Sequence, residues 1–217
     1  MIDLYSGTPG SGKSLHCAFK LYYRIKLHHS VIANFEINLN AICKHTDNFH
    51  FYYVPNWDLT PDYLVDFSRQ YFGSDRVRED EILLVLDECQ LLFNAREWQK
   101  QGRESWLSFF TQHRKYGYHV ILIAQFDRMI DRQIRSLIEY EYVHRKLSNF
   151  GIKGKILSLV MGGNTFVSVQ IWYPLKEKVG SEFFHARKKF YRLYDSYGQF
   201  SLSSEDAEKT STDGAGD

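Results

Sequence analysis

The sequence predicts an α/β protein built on an open, doubly wound and mainly parallel sheet. Three observations carry that expectation. Residues 7–14 read Gly7-Thr8-Pro9-Gly10-Ser11-Gly12-Lys13-Ser14, a complete G-x-x-x-x-G-K-[ST] pattern set between a short strand signal and a helical pattern. Residues 82–86 (ILLVL) and 120–124 (VILIA) are apolar throughout, the signature of strands buried on both faces of a parallel sheet. Strands alternate with helical segments after the glycine-rich loop, which calls for right-handed crossovers.

Taken in order, Ile2, Leu4 and Tyr5 mark a first strand. After the loop, Leu15, Ala18, Phe19, Tyr22 and Ile25 keep helical spacing, with Arg24, Lys26, His28 and His29 where cations suit the helix dipole. Residues 31–35 read as a second strand, and the aromatic run 49–54 as an edge strand ahead of Pro55. Thr60 caps a helix that opens on Pro61 and runs to about Phe72, with Gly73 after it. Residues 74–81 form a charged loop. After the 82–86 strand comes a helix over 103–116, with Trp106, Phe109, Phe110 and His113 on one face and Gly117 as its stop. Beyond the 120–124 strand the pattern turns to β: 140–147, 155–161 and 166–173, with Gly162-Gly163-Asn164 as the turn between the last two. The expected organisation is a core carrying the glycine-rich loop over 1–147, an appended β-hairpin and basic-aromatic region packed on it over 148–200, and a disordered polar tail over 201–217.

The formal charge of +1 hides an asymmetry, because the acid-rich tail leaves the rest of the chain mildly basic, which alone does not announce a nucleic-acid partner. Cys17, Cys43 and Cys89 are odd in number and scattered, which fits a reduced, cytoplasmic setting. The longest apolar runs are about five residues, against roughly 18–20 for a membrane-spanning helix, so no such helix is expected here.

The loop pattern is one that holds ATP. Gly7, Thr8, Pro9, Gly10, Ser11 and Gly12 let the backbone wrap an anion, Lys13 reaches the β- and γ-phosphates, Ser14 coordinates Mg²⁺, and Leu15 carries the chain into the helix. Asp87 and Glu88 follow the 82–86 strand directly. Ligands of open α/β sheets sit beyond the carboxyl ends of the strands. Asp87 is therefore the expected Mg²⁺ partner, and Glu88 the carboxylate that polarises water for attack on the γ-phosphate. Gln125 ends the other buried strand and is expected to read the γ-phosphate from a strand inserted between that of Asp87 and that of the loop. No arginine lies near the loop in sequence. Arg114 and Arg135, with Arg128 and Arg132, are candidates to offset transition-state charge from a neighbouring subunit, which implies a homo-oligomeric ring. Arg187, Lys188 and Lys189 precede Phe190, Leu193, Tyr194 and Tyr197. This segment either grips a nucleic-acid backbone or docks on the core with a basic outer face, and helical spacing favours docking. Weak, sequence-independent binding of single-stranded DNA is the matching expectation.

From strand and GTPGSGKS, through ILLVLDECQ, SWLSFFTQHRKYG, HVILIAQ and IDRQIRSLIEYEY, to a late YDSYG, the chain resembles the zonula occludens toxin (Zot) family. The resemblance covers about residues 1–147 well and the strand-rich end loosely. It implies an ATPase related to FtsK/HerA-like motors that drives assembly and extrusion of a filamentous phage. It also implies a place at the cytoplasmic face of the host membrane, among other phage assembly proteins. Family members carry a transmembrane helix after the ATPase domain; attachment here would need a segment past Asp217 or a partner. A DNA translocase or packaging ATPase outside phage assembly, a small-molecule kinase and a nucleotide-gated scaffold are the competing readings. A kinase would want a lid and an acceptor pocket, and Glu88 speaks against a scaffold that does not turn over.

Overall fold

The computed structural model describes residues 1–42, 50–93, 102–160 and 163–193. The strands among them are β1 (Ile2–Ser6), β2 (Ser30–Ala33), β3 (Phe51–Tyr53), β4 (Ile82–Leu86), β5 (Tyr118–Ile123), β6 (Tyr140–Lys146), β7 (Thr165–Trp172) and β8 (Glu177–His185). The helices are α1 (Lys13–Lys26), α2 (Pro61–Phe72), α3 (Arg103–Gln112), α4 (Arg132–Arg135), α5 (Gly151–Val160) and α6 (Lys188–Tyr191). All eight strands form one sheet in the order β3-β2-β4-β5-β1-β6-β7-β8. From β3 to β6 the pairs are parallel; β7 and β8 add antiparallel pairs.

The all-apolar strands have the burial their composition demands. In β4, Ile82, Leu84 and Leu86 point to one face of the sheet and Leu83 and Val85 to the other, and every one is buried. The first face packs against Leu64 of α2, Trp106, Phe109 and Phe110 of α3, and Ile134 of α4. The second packs against Leu15, Ala18, Leu21 and Ile25 of α1 and Phe190 of α6. Truncating a residue such as Leu84 to Ala removes packing on a closed face and costs about 2–5 kcal/mol. Thr60 caps α2 as expected, its Oγ1 accepting from the Tyr63 N–H at 3.2 Å, with Pro61 opening the helix.

Two expectations fail. Residues 155–160 are not a strand but belong to α5, Gly151–Val160, and Met161 lies outside the described residues. The C-terminal hairpin is β7–β8 rather than a pairing across Gly162-Gly163-Asn164. Gly163 sits on the way from α5 to β7, and Gly162 lies outside the described residues. The hairpin extends the sheet through β6–β7 pairing, so the sheet runs on across residue 147. The helix expected over 103–116 is α-helical to Gln112 and then tightens to a 3₁₀ turn over His113–Tyr116 before Gly117. The expected tail over 201–217, Tyr194, Tyr197 and the YDSYG segment lie outside the described residues. Among the described residues no helix is long and apolar enough to cross a membrane.

Candidate functional site

The parallel order brings the candidate residues to one edge. β5 lies between β4 and β1, so the loop after β1, Asp87-Glu88 after β4 and Gln125 after β5 meet beyond the carboxyl ends of adjacent strands. The loop is anchored there by the Gly7 N–H, which donates to the Gln125 carbonyl at 3.1 Å, and it closes on itself through Ser11 N–H to the Thr8 carbonyl at 3.1 Å.

Two glycines of the loop are sterically required. Gly7 has φ 142, and a Cβ there would stand 2.6 Å from the His144 carbonyl oxygen; Gly12 has φ 99, and its Cβ would stand 2.7 Å from the Phe166 ring. The Ser11 hydroxyl is buried without a hydrogen-bond partner and stands 2.6 Å from where a Gly7 Cβ would lie, so the loop holds an orphaned polar atom beside the space that a side chain would close. Lys13 donates to the Gly7 carbonyl at 2.7 Å. Burial pulls the Lys13 pKa down, against the opposing pull of the Asp87 and Glu88 carboxylates.

Asp87 is buried, and its main chain is gripped by Asn34 at the end of β2. Asn34 Oδ1 accepts from the Asp87 N–H at 2.7 Å, and Nδ2 donates to the Asp87 carbonyl at 2.9 Å and to Asn56 Oδ1 at 2.9 Å. The Asp87 carboxylate accepts from the Glu88 N–H at 2.8 Å. Glu88 adopts φ 46, ψ 43, a left-handed conformation costly for a non-glycine residue. Its Oε2 accepts a hydrogen bond from Gln90 Nε2. Asn34, Asn56 and Gln90 carry no motif; Asn34 acts on main-chain groups, Asn56 on the Asn34 carboxamide, and Gln90 on the neighbouring carboxylate. The one available signal was an Asn directly after a buried strand.

Below the loop runs a chain of buried rings. His144 Nδ1 faces the Ser6 carbonyl at 3.2 Å, which can only accept, so His144 Nε2 accepts in turn from His16 Nδ1 at 2.8 Å. Burial pushes the His144 pKa down to about 4 and holds that of His16 well below its ordinary value. Both are neutral ties between α1 and β6 under the loop. Beside the loop, a cavity of about 260 Å³ is lined by residues that include Ser6, Gly7, Thr8, Gln125, Glu141 and Arg145. Arg145, at the end of β6, is thus an arginine that the fold, not the sequence, brings next to the loop.

The arginines singled out from sequence do not line this cavity. Arg114 pairs with Glu139 at 2.6 Å, and the Glu139 N–H donates to the Ile2 carbonyl, at the edge of the sheet where β1 begins. Arg135 is half-buried on α4, with its Nε lacking a partner. Among the basic-aromatic residues, Phe190 and Leu193 are buried, and Phe190 packs edge-on against Phe19 and Tyr22 of α1. Lys189 Nζ sits 4.3 Å over the Tyr22 ring and 4.7 Å over the Phe190 ring, so α6 docks on the core.

Comparison with known proteins agrees with this architecture. The family described as Zonular occludens toxin (Zot) matches residues 1–200. The Gene 1 protein of Enterobacteria phage fd is 29% identical over 164 residues, covering 72% of this chain and 46% of that protein; the chain spans about half the length of this relative. The N-terminal domain of zonular occludens toxin from Neisseria meningitidis superposes with a TM-score of 0.52 at 19% identity, covering 89% of this chain and 98% of that one. B204, the DNA-packaging ATPase of Sulfolobus turreted icosahedral virus, gives 0.53 at 13% identity over 86% of this chain and 98% of its own. These structural likenesses concern the fold.

Proposed function

We propose that this chain, which belongs to the zonular occludens toxin (Zot) family, is an ATP-hydrolysing motor powering assembly and extrusion of a filamentous phage through the host membrane. One observation carries the chemistry: the phosphate loop and the Asp87-Glu88 pair flank the inserted strand that leads to Gln125.

In this reading the N–H groups of the loop and Lys13 hold the triphosphate in place for in-line attack. Glu88 takes the proton of the attacking water as general base, and Gln125 orients that water against the γ-phosphate. Asn34 and Gln90 keep the two carboxylates where these roles need them. Ser14 and Asp87 would hold Mg²⁺, which would neutralise charge on the phosphate oxygens. Arg145, which lines the cavity beside the loop, would meet negative charge from within the subunit. Arg114 is occupied by Glu139, which leaves Arg135 as the stronger candidate for supply from a neighbour in a ring. The remaining partners in the proposal are phage assembly proteins and single-stranded DNA, at the cytoplasmic face of the host membrane.

The test is genetic. A phage whose copy of this gene carries Lys13→Ala should release no particles while its other proteins accumulate, and the purified variant should not retain ATP. Normal particle release by a variant that neither binds nor hydrolyses ATP would remove the motor reading.

A further inference from the structure

The excursion from β6 to β7 carries α5, and α5 is the wrong way round for a soluble surface. Its small residues Gly154 and Ser158 are buried; a Cβ on Gly154 would meet the Leu147 carbonyl oxygen at 2.4 Å, so this face is seated on the 3₁₀ turn over Leu147–Asn149. The apolar side chains point out: Ile152 is 78% exposed, Ile156 59% and Leu159 79%. At about 100° per residue, Ile152, Ile156 and Leu159 form one ridge opposite the Gly154–Ser158 seat. Lys153 flanks that ridge on one side and Lys155 on the other.

Along this excursion the sequence carries charge of one sign. No Asp or Glu occurs between Glu141 and Glu177, while Lys146, Lys153 and Lys155 fall on or beside it. We infer that α5 is an interfacial helix that docks this domain on an anionic phospholipid surface, its Ile152-Ile156-Leu159 ridge entering the headgroup boundary and its lysines meeting lipid phosphates. The helix spans 10 residues, about 15 Å, so it can lie in the interface but not cross a bilayer. Lysines that bury their stems beside an apolar ridge and keep their ammonium groups in the headgroup layer suit such a contact. A second copy is a poorer occupant, because a two-fold contact through this face would oppose lysines with lysines. Single-stranded nucleic acid is poorer still: such sites rely on aromatic stacking, and α5 carries no aromatic residue. The inference deepens the proposed motor reading by giving it a membrane contact, but the contact itself requires no ATP.

The experiment is vesicle flotation of the whole chain without nucleotide. It compares phosphatidylcholine vesicles with vesicles holding equal parts phosphatidylcholine and phosphatidylglycerol. The chain should float with the anionic vesicles and stay behind with the neutral ones. Lys153→Gln with Lys155→Gln should weaken flotation roughly fivefold per lysine. Ile152→Ser with Leu159→Ser should weaken it about tenfold or more. Because Ile152 and Leu159 project from the fold, that variant should unfold at the wild-type temperature and bind ATP as wild type does. Lys13→Ala should float normally, which separates this contact from the motor reading. Absence of wild-type flotation on anionic vesicles overturns the inference. So does full flotation of the Ile152→Ser, Leu159→Ser variant, which would leave only a diffuse basic patch. A vesicle-free dimer that this variant abolishes assigns the ridge to a second copy instead.

Discussion

Asn34 holds both main-chain polar groups of Asp87, accepting from its N–H at 2.7 Å and donating to its carbonyl at 2.9 Å. The carboxamide thereby continues the β2–β4 pairing one step past the strands and fixes the direction in which Asp87 leaves β4. Asn34→Ala leaves a buried main-chain amide without its partner, a cost of about 1–3 kcal/mol. It should also lower ATP turnover or Mg²⁺ affinity roughly 10- to 100-fold, as loss of a residue supporting a metal ligand does. Urea unfolding and steady-state hydrolysis on the same preparation check both. Unchanged turnover in a destabilised variant would reduce Asn34 to a structural role.

Glu88 holds a left-handed backbone that glycine would occupy without strain. Glu88→Gly should therefore lose hydrolysis while unfolding no earlier than wild type, and later by about 0.5–1 kcal/mol if relief of strain outweighs the lost Gln90 contact. Thermal unfolding read beside an ATPase assay tests this. A variant clearly less stable than wild type would mean that the strain is not stored at this residue.

Two histidines should give stability opposite slopes with pH. His119 is buried, which lowers its pKa, but hydrogen bonds to Asp3 at 2.9 Å and Asp80 at 2.7 Å outweigh burial and raise it. Its contribution is complete below the unfolded value of about 6.5 and is lost as pH rises through the folded value. His144, pushed down to about 4 by burial, contributes fully above about 6.5 and loses that contribution as pH falls towards 4. Unfolding free energies measured across this range should show a shallower alkaline fall in His119→Gln and a shallower acid fall in His144→Gln. Parallel curves for wild type and both variants would contradict the assignment.

Lys189 faces the Tyr22 and Phe190 rings rather than open solvent. If the chain binds single-stranded DNA, Lys189→Ala should leave the salt dependence of binding nearly unchanged, whereas exposed Arg187 can alter the slope by at most about 0.7. Fluorescence anisotropy over a salt series decides it. A slope change of about 0.7 or more on losing Lys189 alone would show that its ammonium leaves the rings for phosphate.

What the sequence made legible follows from burial. The runs at 82–86 and 120–124 declared strands because both of their faces are closed by helices, and the phosphate loop declared itself because backbone geometry restricts residue choice. β8 was invisible: it is an edge strand, largely exposed, with Gly180 inside it and charges on either side, so it carries no alternation. α5 misread as a strand because Ile156, Leu157, Leu159 and Val160 are apolar residues outside the core, and because Gly151 and Gly154 weaken a helical reading. Asn34 and Arg145 reach the site only through sheet order, which local patterns do not encode; Gln90 lies two residues past Glu88 but belongs to no motif.

The most direct test of the central claim is Mg²⁺-dependent ATP hydrolysis by wild type and Glu88→Gln, with ATP binding measured on both. The account predicts that Glu88→Gln retains ATP and turns it over about 100-fold or more slowly. Hydrolysis by Glu88→Gln at the wild-type rate, or no hydrolysis by wild type at any protein concentration, would contradict it.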